Sequence, residues 1–393
     1  MNKDTNNKSK FGIFIAIMVL SMYLNIENMI PLLMADMQKT FAGASVIKIQ
    51  NIYSTVMLVE LSSNFAVGWF VSKMSKRKIV ICFQGFTVLG GLIAFFFSTS
   101  LAMLYFSSVM IGFAAAIVST ISKSIITENY KEENEAAKVM GAQQMFQAVG
   151  TIMLNLITGW LALKGWKYGY LSFLFGLLSL FSAIFMLPEG PIEEKKLTEN
   201  GGKAKLWNKF LIHNVAVTLI FVMLHMTYSY NISYLVEEKG FGNVSVAAYL
   251  SAIWQAALFV AAAALAKVIG KLKKWTLTVC FAAEAVGILI IILSNNIWIT
   301  IVGIIIAALA QGTFAPKVYL DVAKEADSSV VTKSMAMVNA GASLGIYLVP
   351  YLITAPSKLI GPTAQARSIV EAIGLILLLI AEIIYQKNVK PQK

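Results

Sequence analysis

Apolar residues do not alternate along this chain. They run in long blocks separated by short polar gaps, and a helix that crosses a membrane needs about 20 mainly apolar residues. Twelve blocks reach that length, over 11–34, 48–72, 79–97, 101–127, 139–163, 168–187, 210–236, 245–269, 275–294, 297–320, 333–355 and 368–386. The gaps carry as much information as the blocks. In Gly68 to Lys78, GWFVSKMSKRK, the second block stops at a cluster of cations. A charged group costs roughly 2.5 to 3.5 kcal/mol at a bilayer centre, so Lys73, Lys76, Arg77 and Lys78 mark an aqueous boundary and a tight turn between two membrane helices. Ala266 to Trp275, AKVIGKLKKW, repeats the pattern between the eighth and ninth blocks.

The longest hydrophilic connection, 188–209, carries Pro, Gly and mixed charge and suits a flexible linker. It divides the chain into 1–187 and 210–393, with six blocks in each half. The fifth and eleventh blocks open on related segments, AAKVMGAQQMFQAVG and VTKSMAMVNAGASLG, which place Lys138 with Lys333, Met140 with Met335 and Gly150 with Gly345. The expected fold is therefore an all-α polytopic membrane protein of twelve transmembrane helices in two pseudo-symmetric six-helix bundles. Repeats of this kind are how many secondary transporters build a central site.

Composition agrees with a membrane chain. Of the 393 residues, 58% are hydrophobic and only 13% charged, which excludes ordinary soluble domains. The net charge of +12 comes from cations in the gaps between blocks, so it reports topology rather than a nucleic-acid partner. With the N-terminus inside, 25 of the 32 Lys and Arg fall on the inner side, which makes both termini cytoplasmic and predicts a multi-pass protein of the cell membrane. Two cysteines, Cys82 and Cys280, give no support to a disulfide or a metal site and read as buried free thiols. The first block is too long for a signal peptide and lacks a small-residue cleavage site, so it is expected to be retained.

With two six-helix halves and a cationic, glycine-led turn after the second helix, the chain resembles the major facilitator superfamily over nearly its whole length. Its first half is most similar to the drug:proton antiporter branch, through Gly112 in the fourth helix, Gly150 and Gly159 in the fifth, Gly165-Trp166-Lys167 before the sixth and Leu187-Pro188-Glu189 after it. It departs from the pattern at several charged or bending positions. Ser72 stands where the family's turn has Asp, and Ser75 where it has Gly. Ser108 and Ile111 replace the antiporters' Arg and Gln, and Leu154 and Asn155 replace their Gly-Pro pair. The resemblance makes Gly68, Ser72, Lys76, Arg77, Lys78 and Glu128 a cytoplasmic gate. Within it, Arg77 is expected to pair with Glu128 because Ser72 offers the cations no carboxylate.

Ionisable groups inside spans are costly and are therefore functional candidates. Glu27 lies about 24 Å along the first helix by helix rise, with Tyr23 one turn earlier. Glu60 lies near the middle of the second helix, with Ser63 and Asn64 on its face. His225 in the seventh helix has Tyr228 and Ser229 on its face, and is expected to share one cavity with Glu27. Lys123 in the fourth helix and Lys317 in the tenth, with Asp321 one turn on, are further candidates; snorkelling or a local ion pair would also explain them. Gln147 and Asn155 in the fifth helix and Asn339 and Tyr347 in the eleventh form neutral polar stripes that fit either solute contact or helix packing. Glu284 in the ninth helix reads as an interhelical contact.

These features point to a secondary transporter that alternates access around a site between the halves, moving a small organic solute with proton coupling. Efflux of a drug or metabolite by proton antiport is the alternative. An integral-membrane enzyme would need a nucleophile with its base or a metal pair, and the two histidines, twelve residues apart on one helix, do not have metal-ligand spacing. A channel would need a repeated filter-like loop. No cofactor, no metal and no ATP-binding motif is expected. The partners are the solute, protons and the lipid bilayer, and the carrier is expected to be a monomer.

Overall fold

The computed structural model describes residues 3–63, 66–130, 132–189, 208–325 and 331–388. Among these, every regular element is a helix. In the first half they are α1 (Lys3–Ser21), α2 (Met34–Thr40), α3 (Val46–Ser63), α4 (Val67–Val71), α5 (Lys76–Phe96), α6 (Leu101–Asn129), α7 (Glu133–Ala162), α8 (Trp166–Gly169) and α9 (Gly176–Met186). The second half holds α10 (Lys209–Glu238), α11 (Val244–Leu272), α12 (Thr276–Leu293), α13 (Ile297–Glu325), α14 (Val331–Val349), α15 (Ala355–Ser357) and α16 (Ala364–Asn388).

Eleven helical stretches among the described residues are long and apolar enough to cross a membrane. The remaining expected span, 48–72, is carried by α3 and α4, on either side of residues 64 and 65, which lie outside the described residues, and with them the expected neighbour Asn64. Most of the linker 188–209 also lies outside them. The chain forms two compact units, one comprising Met1–Ala42 and Thr55–Leu197, the other Gly43–Ser54 and Thr198–Lys393. The start of α3 thus belongs with the second unit, where the Ser54 and Tyr230 hydroxyls lie 2.7 Å apart and the Tyr53 ring meets that of Tyr230 edge-on.

Among the described residues, the first, sixth and eleventh spans are not uniform helices, and in the first and eleventh a proline gives the reason. The first leaves α geometry after Ser21 and resumes as a 3-10 stretch, Ile26–Leu33, before α2. Pro31 sits inside that stretch, where it supplies no N–H to an α ladder. The sixth runs through α8, a 3-10 stretch over Tyr170–Phe175, and α9. The eleventh loosens into a π turn at Pro350–Thr354 before α15, because a proline inside a helix displaces the carbonyl one turn back.

Within a bilayer no hydrophobic gain drives helices together, so small residues that let backbones approach do the packing. The two units use the same approaches. A Cβ at Gly150 (α7) would lie 2.1 Å from the Met22 carbonyl oxygen, and one at Gly345 (α14) 2.4 Å from that of Leu219 (α10). Gly112 (α6) faces the backbone of Val56 (α3) as Gly312 (α13) faces Leu258 and Ala261 (α11). Gly176 makes room for the Tyr23 ring, and Gly374 for Leu224. Ile17, Leu20, Phe83, Ile117 and Ile121 form part of one apolar core in the first unit. Large apolar side chains such as Trp69, Phe96, Phe185, Leu293 and Trp298 are exposed, as residues facing lipid would be.

Two expectations need correction here. Cys82 is exposed rather than buried, and only Cys280 is enclosed. The second cationic turn is also shorter than its sequence suggests, since α11 continues to Leu272. Lys273 then takes a left-handed φ of 50°, the one non-glycine residue among those described to do so.

Candidate functional site

In the first unit the break in the opening helix carries a buried carboxyl group. Glu27 is the second residue of the 3-10 stretch and is buried, and its Oε2 has no hydrogen-bond partner. Its charge is felt by Tyr23 and it interacts in turn with Glu60 of α3, which also feels Lys123 of α6. Tyr23, fully enclosed, donates its hydroxyl to the Phe173 carbonyl, which fixes the ring against Gly176. Gln147 Nε2 donates to Asn25 Oδ1 at 2.8 Å, tying α7 to the residue just before the 3-10 stretch. Asn155, about two turns further along α7, is buried. Tyr23, Glu27, Glu60, Lys123 and Gln147 therefore belong to one connected polar region, formed by the first span with α3, α6 and α7. Lys123 is exposed, and Ser122 beside it accepts from Gln143 instead, at 2.7 Å.

The second unit has its own polar centre. His225 Nδ1 of α10 lies 2.9 Å from Glu284 Oε1 of α12, and both side chains are almost fully enclosed. The ring of Trp254 (α11) stands 5.1 Å from the imidazole and stacks on Tyr228 at 4.2 Å, while its Nε1 donates to Gln311 Oε1 of α13 at 2.8 Å. Glu371 of α16 is wholly buried, has no hydrogen-bond partner for either carboxyl oxygen, and interacts electrostatically with Glu284 and Tyr228. Further along the same helix pair, Arg367 donates to Asn231 and lies over the Tyr234 ring, while His213 Nε2 lies 3.2 Å from Glu382 Oε2. Just beyond α10, burial lowers the pKa of Lys239 below the ordinary lysine value, and its Nζ donates to the Ile292 and Ser294 carbonyls.

The other sequence candidates in this unit make more local contacts. Lys317 pairs with Asp321 one turn along α13, the simple ion pair that the spacing allows. Asn339 accepts from the Tyr319 hydroxyl, and the Tyr347 and Tyr351 rings are 5.5 Å apart. Glu27 and His225 each have partners inside their own unit. Glu371, Arg367 and Glu382 did not figure among the sequence candidates. The signal was present, however, since Glu371 and Glu382 are carboxyl groups inside the last apolar block. No cluster of three or more metal-ligating residues occurs among the described residues.

Residues 12–350 match the family model of the Major Facilitator Superfamily. The chain belongs to this superfamily. Similar solved structures include the nucleoside transporter NupG (TM-score 0.75, 14% identity, 96% of this chain and 100% of that one). A D-xylose-proton symporter is similar at TM-score 0.71 and 12% identity, over 94% and 97% of the two chains. The POT family transporter PepTSo is similar at 0.75 and 11%, over 96% and 97%. No curated protein sequence matches the chain. Identities this low carry the fold alone. Membership of the superfamily makes the chain a multi-pass secondary transporter rather than an enzyme.

In this facilitator the turn between the second and third spans is held differently from the sequence expectation. Glu128 at the end of α6 pairs with Lys76, not with Arg77. The Lys76 side chain is nearly enclosed, and its Nζ also donates to Ser124 Oγ at 2.6 Å. Arg77 instead donates to the Ile184 carbonyl near the end of α9. The reason is helical register. Lys76 is the first residue of α5 and points inward toward α6, whereas the next residue is turned by about 100° around the axis. Ser72 Oγ donates back to the Trp69 carbonyl at 2.8 Å, Lys78 makes an exposed ion pair with Glu189 at 3.4 Å, and a Cβ at Gly68 would meet nothing within 4 Å.

Proposed function

We propose that this chain is a proton-coupled carrier that moves a small polar organic solute by alternating access, with Glu27 as a coupling residue. What supports the reading is the state of that carboxyl group: buried at a break in the first span, one oxygen unpartnered, and beside a second carboxyl, Glu60. An ionised carboxylate without partners is expensive inside a membrane, and a proton is the smallest ligand that removes the expense. Tyr23, Lys123, Gln147 and Asn155 serve the same region. His225, Tyr228, Lys317, Asn339 and Tyr347 are the candidates for solute or proton contact in the second unit. Gly68, Ser72, Lys76, Arg77, Lys78 and Glu128 act as a cytoplasmic gate. A nucleoside transporter, a D-xylose-proton symporter and POT family transporters among the similar structures favour a polar solute. The carrier works as a monomer in the cell membrane with both termini in the cytoplasm.

Efflux by proton antiport is the second reading. It is favoured by Gly112 and Gly150, which stand where the antiporter branch has glycines and meet the backbones of Val56 and Met22. Both readings are tested in proteoliposomes by screening polar metabolites and lipophilic cations with and without a pH gradient. Glu27→Gln is expected to lose gradient-driven accumulation and keep solute exchange at equal pH. Accumulation that survives in Glu27→Gln would remove Glu27 from the coupling.

A further inference from the structure

The second unit contains a cluster that neither its apolar packing nor its family explains. His225, Glu284 and Glu371 come from three different helices, α10, α12 and α16, and are 2%, 0% and 0% exposed. The imidazole satisfies one oxygen of Glu284, at 2.9 Å. The other oxygen of Glu284 and both oxygens of Glu371 are buried without a hydrogen-bond partner, as is the Tyr228 hydroxyl. The charges do not balance: two carboxyl groups interact with each other and face a single imidazole. Fully ionised, with the imidazole protonated, the cluster would still carry one uncompensated negative charge where water is excluded, which a buried site does not sustain.

Among the described residues, no other cation is paired with these carboxyl groups. On α12 the nearby titratable group is Cys280, which interacts with Glu284, and α10 itself adds Tyr228. From α11 comes Trp254, held by Gln311 of α13, and α13 also brings Phe314 against Phe221. Against α10, α14 presents Gly341 and Gly345, opposite Val215 and Leu219. On α16 the next charged groups are Arg367, whose Nε donates to Asn231 while its Nη2 is buried without a partner, and Glu382, beside His213.

The geometry points to a proton-binding site at His225, Glu284 and Glu371, wholly inside the second unit and separate from Glu27. Glu284 and His225 form the permanent pair, and Glu371 is the group that takes up and releases the proton. A proton on Glu371 removes the uncompensated negative charge, and Glu284, whose field Glu371 feels, makes its uptake favourable. This deepens the proton-coupled reading above, on which its link to transport rests; the existence of the site does not depend on it.

The test has two arms. Infrared difference spectra of the purified carrier between acidic and alkaline pH are expected to show the carbonyl band of a buried protonated carboxyl group, and this band should be lost in Glu371→Gln. Glu284→Gln should shift the band without abolishing it, and serves as the second variant if Glu371→Gln does not fold. A band that is identical in wild type and both variants, or no such band in wild type, overturns the site. In proteoliposomes, Glu371→Gln is expected to lose accumulation driven by a pH gradient and to retain exchange at equal pH. If the band behaves as expected but the wild type ignores a pH gradient, the site stands and the proton-coupled reading falls. If instead a sodium gradient drives the wild type and Glu371→Gln abolishes that drive, the cluster is a sodium site and the proton assignment is overturned.

Discussion

Gly150 of α7 faces the backbone of Met22 so closely that a Cβ would stand 2.1 Å from its carbonyl oxygen. The obstacle is main chain, which cannot rotate away as a flexible side chain would. A methyl group there must push the first span off α7, just before the 3-10 stretch that carries Glu27. Overpacking of this kind costs about 1 to 3 kcal/mol. Gly150→Ala is therefore expected to lower the thermal midpoint of the carrier in detergent. Gly141→Ala on the same helix, where nothing lies within 4 Å, should leave it unchanged or raise it slightly, because alanine favours helix by up to about 1 kcal/mol. Equal midpoints for the two variants would contradict the close approach.

The pairing of Lys76 with Glu128 is asymmetric, and the two obvious substitutions should differ for that reason. The Lys76 side chain is 6% exposed and that of Glu128 43%. Removing the carboxylate leaves a nearly enclosed ammonium without its ion-pair partner, whereas removing the ammonium leaves a carboxylate that water can reach. Glu128→Gln keeps an acceptor but leaves the enclosed ammonium uncompensated, and is expected to destabilise by about 1 to 3 kcal/mol. Lys76→Met, which keeps the stem and drops the charge, should cost less. The check is the thermal midpoint of each variant alongside its transport rate. A larger loss in Lys76→Met than in Glu128→Gln would reverse the argument.

Much of the fold could be read from the sequence because membranes impose coarse rules. A long apolar block has one stable backbone solution in lipid, and a cation cluster marks where the block must end. The pseudo-repeat was legible through Gly150 and Gly345, and the structure gives both the same task against the first helix of their units. Side-chain partnership was less legible. Helical periodicity could not tell whether Lys76 or Arg77 faces Glu128, since that depends on where α5 begins. Nor could it bring Glu371 to Glu284, which are 87 residues apart. His225 was found as an ionisable group in a span and Glu284 as an interhelical contact, and the contact Glu284 makes is to His225, a pairing that periodicity alone does not give.

The exposure of Cys82 against the enclosure of Cys280 predicts a clean difference in labelling. A membrane-permeant maleimide should modify one thiol in the folded carrier, and Cys82→Ser should abolish that modification. Cys280 should react only after unfolding, which makes its labelling rate a reporter of global opening. Modification of both thiols in the folded protein at similar rates would show that α12 is less well packed than its burial implies.

The start of α16 is capped from a different helix. Both carboxyl oxygens of Glu238, at the end of α10, lie 2.7 Å from the Ala364 backbone N–H, and one accepts a longer bond of 3.3 Å from Gln365. The first N–H groups of a helix have no partner within it, and a negative charge beside them is favoured by the helix dipole. Asn231 completes the joint by donating to the Ala364 carbonyl at 2.8 Å. Glu238→Gln can keep an acceptor but loses the charge, and should cost roughly 0.3 to 1 kcal/mol. Glu238→Ala loses both and should cost about 1.5 to 3 kcal/mol, as for other bonds to charged groups. Hydrogen exchange at Ala364 and Gln365 gives the local check. Faster exchange there in Glu238→Ala, with the core of α10 unaffected, is the expected result, and unchanged exchange would mean that the carboxylate does not hold the end of α16.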